Sequence, residues 1–242
     1  MNFFIPPGKG RKEYITTIIN PIINIKKMEK SMNNNTTTRI HNLIILDRSG
    51  SMYSIREAAV SHLNECLQTI KCAQKENEGQ KHSVTIVTFN HKPQYLFTNS
   101  DPDFVNEITL SDYIPEGMTA LYDAVGSSVQ ALRKVVQPGD CVLVSIITDG
   151  YENSSREYSL GNVKKLIEDT SAEGWVYTFM AANIDEHAVA RDLSIKNVDN
   201  FCSNSEDFSK KSATWNRSRK TFYCRHALGK DVSSNFFNDD DE

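Results

Sequence analysis

The sequence predicts an α/β fold, a three-layer sandwich in which helices cover both faces of a doubly wound, mostly parallel sheet. From about residue 39 onward, short apolar stretches alternate with longer stretches that have helical periodicity. The stretches at 43–46 and 141–148 are apolar nearly throughout, as in parallel strands that are buried on both faces. Parallel strands joined by right-handed crossovers place their helices on the two faces of the sheet, which predicts the three layers.

The elements follow in order along the chain. A first strand at 40–46 leads to a helix at about 54–75, in which apolar residues recur at helical spacing. Strands at 82–89 and 94–98 are separated by a short polar segment ending in Pro93, which indicates a hairpin and therefore one antiparallel edge strand. An irregular acidic segment spans 99–118. The remaining predicted elements are a helix at 120–136, a strand at 141–148, a helix at about 158–172, a strand at 175–181, a short helix at 185–193, a short strand at 198–202 and a last helix at 205–225.

The composition divides the chain into three parts. Residues 1–38 combine a proline-rich start, a basic patch and a run of Asn and Thr, which predicts a disordered N-terminal extension. Residues 39–228 carry the alternating pattern and form the predicted domain. Residues 229–242 are expected to be an acidic C-terminal tail, because they end in Asp239-Asp240-Asp241-Glu242.

Bulk properties exclude several classes of function. The net charge of −4 provides no basic surface for nucleic acid. No stretch is long and apolar enough to cross a bilayer, so membrane association is not expected. The five cysteines form no C-x-x-C pair, which argues against structural zinc and a disulfide framework and favours a cytoplasmic protein. Cys66, Cys72 and Cys141 are expected to be small core residues.

Oxygen-bearing side chains follow two predicted strands and precede one helix. Asp47, Ser49 and Ser51 alternate directly after the first strand, Thr119 precedes the helix at 120–136, and Asp149 follows the strand at 141–148. Ligands of such sheets bind beyond the carboxyl ends of the strands. Carboxylates and hydroxyls are hard oxygen ligands that suit Mg²⁺. The alternative is ordinary turn and cap chemistry, because Asp, Ser and Thr are common at both places.

At these three places the sequence resembles a von Willebrand factor type A domain. The resemblance rests on D-x-S-x-S after the first strand, G-x-T-A-L-x-D-A at the start of a helix and T-D-G after a central strand, in that order, and it covers about residues 39–228. It implies a metal-ion-dependent adhesion site with Asp47, Ser49, Ser51, Thr119 and Asp149 as ligands of Mg²⁺ or Mn²⁺. It also implies that an Asp or Glu of a partner protein completes the coordination.

The resemblance is closest to compact intracellular members of the bacterial or phage type. In such relatives the domain commonly works beside an ATPase, a kinase or phosphatase, or a stress-response protein. Asp123, one turn into its helix, is expected to support the site rather than to bind metal. Arg48 and Tyr53 border the first loop and are expected to be exposed, and residues 151–153 are expected on the same rim.

Two other functions remain open at this point. A metal-dependent phosphatase of the haloacid dehalogenase type also has an Asp after its first strand, but it needs a second Asp two residues later, where this chain has Ser49. A structural protein with a vestigial site is the other alternative, and the complete set of ligands argues against it. We therefore predict a metal-dependent protein-binding module rather than an enzyme.

Overall fold

The computed structural model describes residues 37–233 and 236–237 of the chain. The strands are β1 (Thr38–Asp47), β2 (Gln80–Phe89), β3 (Pro93–Ser100), β4 (Cys141–Thr148), β5 (Val176–Ala181) and β6 (Asn197–Asn200). The α-helices are α1 (Arg56–Glu76), α2 (Leu121–Arg133), α3 (Leu160–Ala172), α4 (Glu186–Asp192) and α5 (Ser205–Ala227). Short 3-10 helices at Gly50–Ile55 and Pro102–Phe104 complete the regular structure of this part of the chain.

The described strands form one six-stranded sheet in the order β3-β2-β1-β4-β5-β6. β1 is parallel to both of its neighbours, β2 and β4, and β5 and β6 continue the parallel part. β3 pairs antiparallel with β2 at the edge, as the predicted hairpin requires. The strand order reverses between β1 and β4, and the loops that follow these two strands therefore diverge and leave a crevice between them.

Each face of the sheet has its own hydrophobic core. On one face α1 and α5 pack over β1 and β2, and their aromatic contribution comes from Phe208, Trp215 and Tyr223. On the other face α2, α3 and α4 cover the opposite side of the sheet. β1 and β4 are buried nearly throughout because both of their faces contact helices. The three-layer sandwich with one antiparallel edge strand is thus confirmed.

Every predicted element is present, and no end differs from its prediction by more than three residues. The largest difference is at the end of α2, which stops at Arg133 because the N–H groups of Val135 and Val136 both turn back to the carbonyl of Leu132. The prediction for Cys72 is wrong. Cys66 and Cys141 are buried, but Cys72 is exposed because it lies on the solvent side of α1, away from Ile70 and Ala73.

Both predicted terminal segments lie largely outside the described residues. Residues 1–36 of the extension predicted at 1–38 lie outside the described residues, and Thr38 already belongs to β1. The acidic residues Asp239–Glu242 are likewise not described, whereas Phe236 just before them packs on the α5 side of the core and its N–H donates to Oδ1 of Asn197. No helix in the described part of the chain is long and apolar enough to cross a membrane.

Candidate metal centre

The five predicted ligands come together in the crevice between the ends of β1 and β4. Asp47 is the last residue of β1, and Asp149 follows directly after β4. The two strands are neighbours in register, with Leu46 opposite Ile147, so their next residues emerge side by side. This is the position at which the reversal of strand order opens the sheet to a ligand.

The first loop is held by its own backbone and by a tyrosine from a distant segment. Oδ1 of Asp47 accepts the N–H of Ser49 at 2.6 Å, and Oδ2 accepts the hydroxyl of Thr148 on β4 at 2.7 Å. The hydroxyl of Tyr113, which is fully buried, donates to the backbone carbonyl of Asp47 at 2.5 Å. Sequence reasoning missed the roles of Tyr113 and Thr148. Thr148 is the first residue of T-D-G, but its bond to Asp47 joins two strands, and Tyr113 lies in the irregular segment at 99–118.

A chain of hydrogen bonds joins the first loop to the third. Oγ of Ser49 lies 3.0 Å from Oγ of Ser51, and Ser51 donates to Oδ1 of Asp149 at 2.5 Å. Thr119 is brought to the same place, because a Cβ built on Gly150 would lie 3.4 Å from Thr119 Oγ1 and 3.8 Å from Ser51 Oγ. The oxygens of all three loops therefore surround the small space beside Gly150.

The second loop reaches the site through a left-handed turn. Gly117 has a φ of 75°, which favours glycine, and its carbonyl accepts the N–H of Gly50 at 3.1 Å. On the other side of Thr119, the N–H of Ala120 donates to the carbonyl of Asn90 at the end of β2 at 2.7 Å. These contacts fix Thr119 between the first and third loops.

The segment after Asp149 clamps the second loop. Asn153 forms two hydrogen bonds with the backbone of Thr119: its Oδ1 accepts the Thr119 N–H at 2.8 Å, and its own N–H donates to the Thr119 carbonyl at 2.9 Å. The carboxylate of Glu152 accepts the N–H of Tyr122 in the first turn of α2 at 3.0 Å. Because Glu152 supplies an acceptor there, the helix start does not depend on the Thr119 hydroxyl as a cap.

Asp123 is committed to the backbone and not to the ligand cluster. Its two carboxylate oxygens accept three N–H groups, from Arg156, Glu157 and Tyr158, at 2.8–2.9 Å. These hydrogen bonds attach the segment after Asp149 to the first turn of α2, in addition to the bond between Glu152 and Tyr122. A supporting role for Asp123, as expected from the sequence, agrees with these contacts.

The electrostatics of the cluster suit a cation. Asp47 and Asp149 are both buried, and burial raises the pKa of Asp47 to about 6 although Thr148 and Ser49 donate to it. Burial raises the pKa of Asp149 as well, against the hydrogen bond from Ser51. Oδ2 of Asp149 is buried and, among the described residues, has no hydrogen-bond partner. A divalent ion would compensate both carboxylates and satisfy this oxygen.

The donor set is built from hydroxyls more than from charges. In the part of the chain that the structure describes, no group of three or more His, Cys, Asp or Glu is placed to hold a metal. The candidate centre contains two carboxylates, and its three other predicted donors are hydroxyls. A set of hard oxygens without thiolate or imidazole fits Mg²⁺ or Mn²⁺ better than a soft ion.

The rim of the centre differs in part from the prediction. Tyr53 is exposed, as expected, and Tyr151, expected on the rim, is exposed as well. Arg48 is only 9% exposed, so the prediction of an exposed side chain is wrong for this residue. Nη1 of Arg48 donates to the carbonyl of Ile114 at 3.4 Å and lies 3.7 Å from Glu116. The burial follows because the segment at 110–116 folds over the first loop.

Comparison with known proteins gives structural matches and no sequence matches. No family model and no curated protein matches the chain. Its fold is similar to a von Willebrand factor type A protein from Catenulispora acidiphila, with a TM-score of 0.54 and 13% identity over 73% of this chain and 42% of that one. The PilB minor pilin from Streptococcus sanguinis has a TM-score of 0.54 and 12% identity over 76% of this chain and 62% of that one.

A third similar structure is described as containing a metal at the adhesion motif. Proximal thread matrix protein 1 from the mussel byssus, with a zinc-occupied MIDAS motif, has a TM-score of 0.52 and 16% identity over 76% of this chain and 46% of that one. The chain thus spans less than two thirds of these three proteins. Together with the strand order and the position of the three loops, the matches show that this chain has the fold of a von Willebrand factor type A domain.

Proposed function

We propose that this chain is a protein-binding module that captures an acidic side chain of a partner protein through a divalent cation, Mg²⁺ or Mn²⁺. Asp47, Ser49, Ser51, Thr119 and Asp149 would hold the ion. The observation that carries the proposal is the convergence of these five oxygens, together with the buried and unpartnered Oδ2 of Asp149. The bound ion would supply an electrophilic position for a carboxylate.

The charges of the site suit an anionic partner. Two carboxylates balance a divalent ion, and the neutral hydroxyls add no charge that would repel an incoming carboxylate. Mg²⁺ retains some of its coordination for water or a further ligand when proteins bind it. The oxygen-only donor set supports Mg²⁺ or Mn²⁺ over zinc, although the similar mussel protein is described with zinc.

Catalysis is the alternative that the contacts favour less. Ser49 stands where a phosphatase of the haloacid dehalogenase type needs its second Asp. The hydroxyls of Ser49 and Ser51 hydrogen-bond to each other, and Ser51 donates to Asp149; within the described part of the chain, neither is paired with a His or Lys that could activate it. We propose residues 39–228 as the binding domain. We also propose the cytoplasm as its location, because free cysteines are typical of a reducing compartment and all five cysteines are free.

A calorimetric titration tests the metal. Mg²⁺, Mn²⁺ and Zn²⁺ are titrated into the wild type and Asp47→Ala, which removes one of the two carboxylates. We expect one ion per chain for the wild type and no measurable binding of Mg²⁺ or Mn²⁺ to the variant. Equal affinities of the two proteins would contradict the proposed ligand set.

A pull-down from lysate of the native host tests the partner. Binding is expected to disappear in EDTA, to return with Mg²⁺ and to weaken in Thr119→Ala. Thermal melts of the variant should stay close to the wild type, because Glu152 supplies an acceptor for the start of α2. A partner that is retained equally in EDTA would show that the metal rim is not the binding surface.

A further inference from the structure

Four large apolar side chains are exposed around the candidate metal centre. Tyr53 is 70% exposed, Ile114 52%, Met118 52% and Tyr151 55%. Each belongs to a segment that contributes to the site or covers it: Tyr53 follows the first loop, Met118 precedes Thr119, Tyr151 follows the third loop, and Ile114 lies beside Arg48. Exposed apolar side chains are unremarkable singly, but their clustering around a binding site indicates contact with a partner.

The positions of these side chains follow from backbone contacts. The loop that carries Met118 touches the first loop through the hydrogen bond from Gly50 to Gly117. It touches the third loop where the Asn153 N–H reaches the Thr119 carbonyl. Met118 therefore stands between the loops that carry Tyr53 and Tyr151. The hydroxyl of Tyr151 accepts the N–H of Asp185, which fixes this ring at the rim while leaving more than half of it exposed.

Two acidic side chains of the rim, Glu152 and Asp185, are already engaged, whereas Glu116 beside Arg48 is 65% exposed. The carboxylate of Glu152 accepts the N–H groups of Tyr122, Ser154 and Ser155 as well as the Ser155 hydroxyl. Asp185 accepts the N–H of Ala188 at the start of α4. These carboxylates are occupied as helix caps and loop clamps, so they are poor partners for basic residues of an incoming segment.

The two arginines near the site hold the segment that covers the first loop. The guanidinium groups of Arg48 and Arg56 bind the backbone carbonyls of the segment at 110–116, beside Tyr113, whose hydroxyl touches Asp47. Both arginines are thus engaged, so the favourable charge for an arriving carboxylate would come from the bound ion, whereas its neighbours on the partner would meet Tyr, Met and Ile side chains. The ion and the apolar rim would contact two different parts of the same partner segment.

We infer that the partner presents an Asp or Glu flanked by apolar residues, so that the carboxylate reaches the metal and the flanking side chains cover Tyr53, Met118 and Tyr151. This inference rests on the proposed metal-dependent capture of a carboxylate. It adds that the partner residues on either side of this carboxylate are apolar, and not basic or polar.

The test uses short immobilised peptides with a central Asp, flanked on both sides by apolar, polar or basic residues, and probed with the full-length protein in Mg²⁺ or in EDTA. The apolar series should bind most strongly, and only in Mg²⁺. Met118→Ser and Tyr53→Ser should each weaken the apolar series about tenfold, which is the loss expected when burial of a large apolar side chain is removed. Phe104→Ser is the matched control, because Phe104 is 85% exposed and lies in the 3-10 helix after β3.

The outcomes separate the inference from the function on which it rests. Binding that persists in EDTA overturns metal-dependent capture itself. Binding that requires Mg²⁺ but ignores the flanks, or is weakened equally by Phe104→Ser, overturns the inference while leaving the proposed function in place. Sedimentation of the protein alone in Mg²⁺ and in EDTA provides a further control, since metal-dependent self-association would assign the rim to a second copy of this chain and also overturn the inference.

Discussion

Two polar clusters of this molecule both contain serine and carboxylate side chains, but they differ in whether a carboxylate oxygen is left without a hydrogen-bond partner. The candidate metal centre joins Ser49, Ser51 and Asp149 at the open end of the sheet, and one buried carboxylate oxygen there has no partner among the described residues. The second cluster lies between α1 and α5. There Ser212 and His62 are buried, and Ser212 hydrogen-bonds to both His62 and Glu65.

The second cluster resembles a nucleophile with its base, but its hydrogen bonds are closed. Ser212 donates to the Glu65 carboxylate at 2.8 Å, so its oxygen accepts from Nδ1 of His62 at 2.7 Å. Nε2 of His62 is then left as an acceptor for the thiol of Cys66 at 3.4 Å. Ser212, His62 and Glu65 each have partners, and His62 and Ser212 are buried, so the cluster ties α1 to α5. The comparison teaches that an unsatisfied carboxylate oxygen in a crevice, and not the residue types, distinguishes a site from a structural network.

The pH dependence of stability should show the largest effect in the closed cluster. Burial, with a contribution from the charge of Arg219, lowers the pKa of His62 to about 3, from 6.5 in the unfolded chain. The unfolded state therefore binds the proton more readily, and the stability that this group contributes above pH 6.5 is lost as the pH falls toward 3. At pH 4.5 the loss should be about 2–3 kcal/mol.

Chemical unfolding of the wild type and His62→Gln at pH 7.5 and pH 4.5 measures this loss. The groups that face His62 are Glu65 and Cys66 on α1 and Ser212 and Arg219 on α5, and all are kept in the variant. His82, whose pKa burial lowers to about 4, and Asp47 titrate in both proteins, so their effects cancel in the difference. The variant should lose less stability between the two pH values, and an equal loss would contradict a neutral, buried His62.

A matched pair of serine variants tests the comparison directly. Ser212→Ala leaves the buried Nδ1–H of His62 without an acceptor, and we expect the free energy of unfolding to fall by about 1–3 kcal/mol. Ser49→Ala removes a hydroxyl that interacts with Ser51, and the loss should be under about 1 kcal/mol. Magnesium affinity should respond in the opposite order, falling in Ser49→Ala and staying unchanged in Ser212→Ala. If both variants change both quantities alike, the two clusters do not differ as we describe.

The two clusters also differ in how far the sequence predicts them. The ligands Asp47, Ser49, Ser51, Thr119 and Asp149 were identified because each follows a strand or precedes a helix, so that local periodicity indicates where the loops lie. The strand at Cys141–Thr148 agrees with its prediction to the residue because its apolar run is bounded by polar residues. His62 and Ser212, by contrast, are 150 residues apart, and nothing local indicates that α1 and α5 pack together.

The residues that hold the loops of the metal centre in place could not be predicted from the sequence either. Tyr113 and Asn153 act through contacts between segments far apart in sequence, which depend on the fold and leave no local pattern. Cys72 was predicted to be buried because it shares a helix with Cys66, but the side of a helix that faces solvent depends on the exact phase of its apolar stripe. The occupancy of the site by a metal ion stays a prediction.

Asn153→Ala should have a smaller effect on folding and a clear one on the site. The substitution removes the Oδ1 acceptor of the Thr119 N–H at a position where water can replace it, so we expect a loss of about 0.5–1 kcal/mol. Thr119 would be held less firmly, and magnesium affinity should fall several-fold. Asn153→Asp retains the acceptor, so we expect it to keep Thr119 in place and to preserve the magnesium affinity. If Asn153→Ala lowers stability without changing the magnesium affinity, the contact between Asn153 and Thr119 is purely structural.

Gly150→Ala is expected to change stability least and is the sharpest test of the open cluster. The added methyl group would make only ordinary contacts, 3.4 Å from Thr119 Oγ1 and 3.8 Å from Ser51 Oγ, so the free energy of unfolding should change by no more than about 0.5 kcal/mol. The same methyl group would project into the space that the ligand oxygens surround, and Mg²⁺ binding should therefore be lost or strongly weakened. Gly161→Ala, whose added methyl would have Ser159 Oγ at 3.9 Å as its nearest contact, is the control for glycine replacement. Calorimetric titration with Mg²⁺ and unfolding in EDTA, carried out on both variants, separate the two effects. Wild-type affinity in Gly150→Ala would mean that the ion does not bind in the space beside Gly150, because a group that fills this space cannot leave a metal there undisturbed.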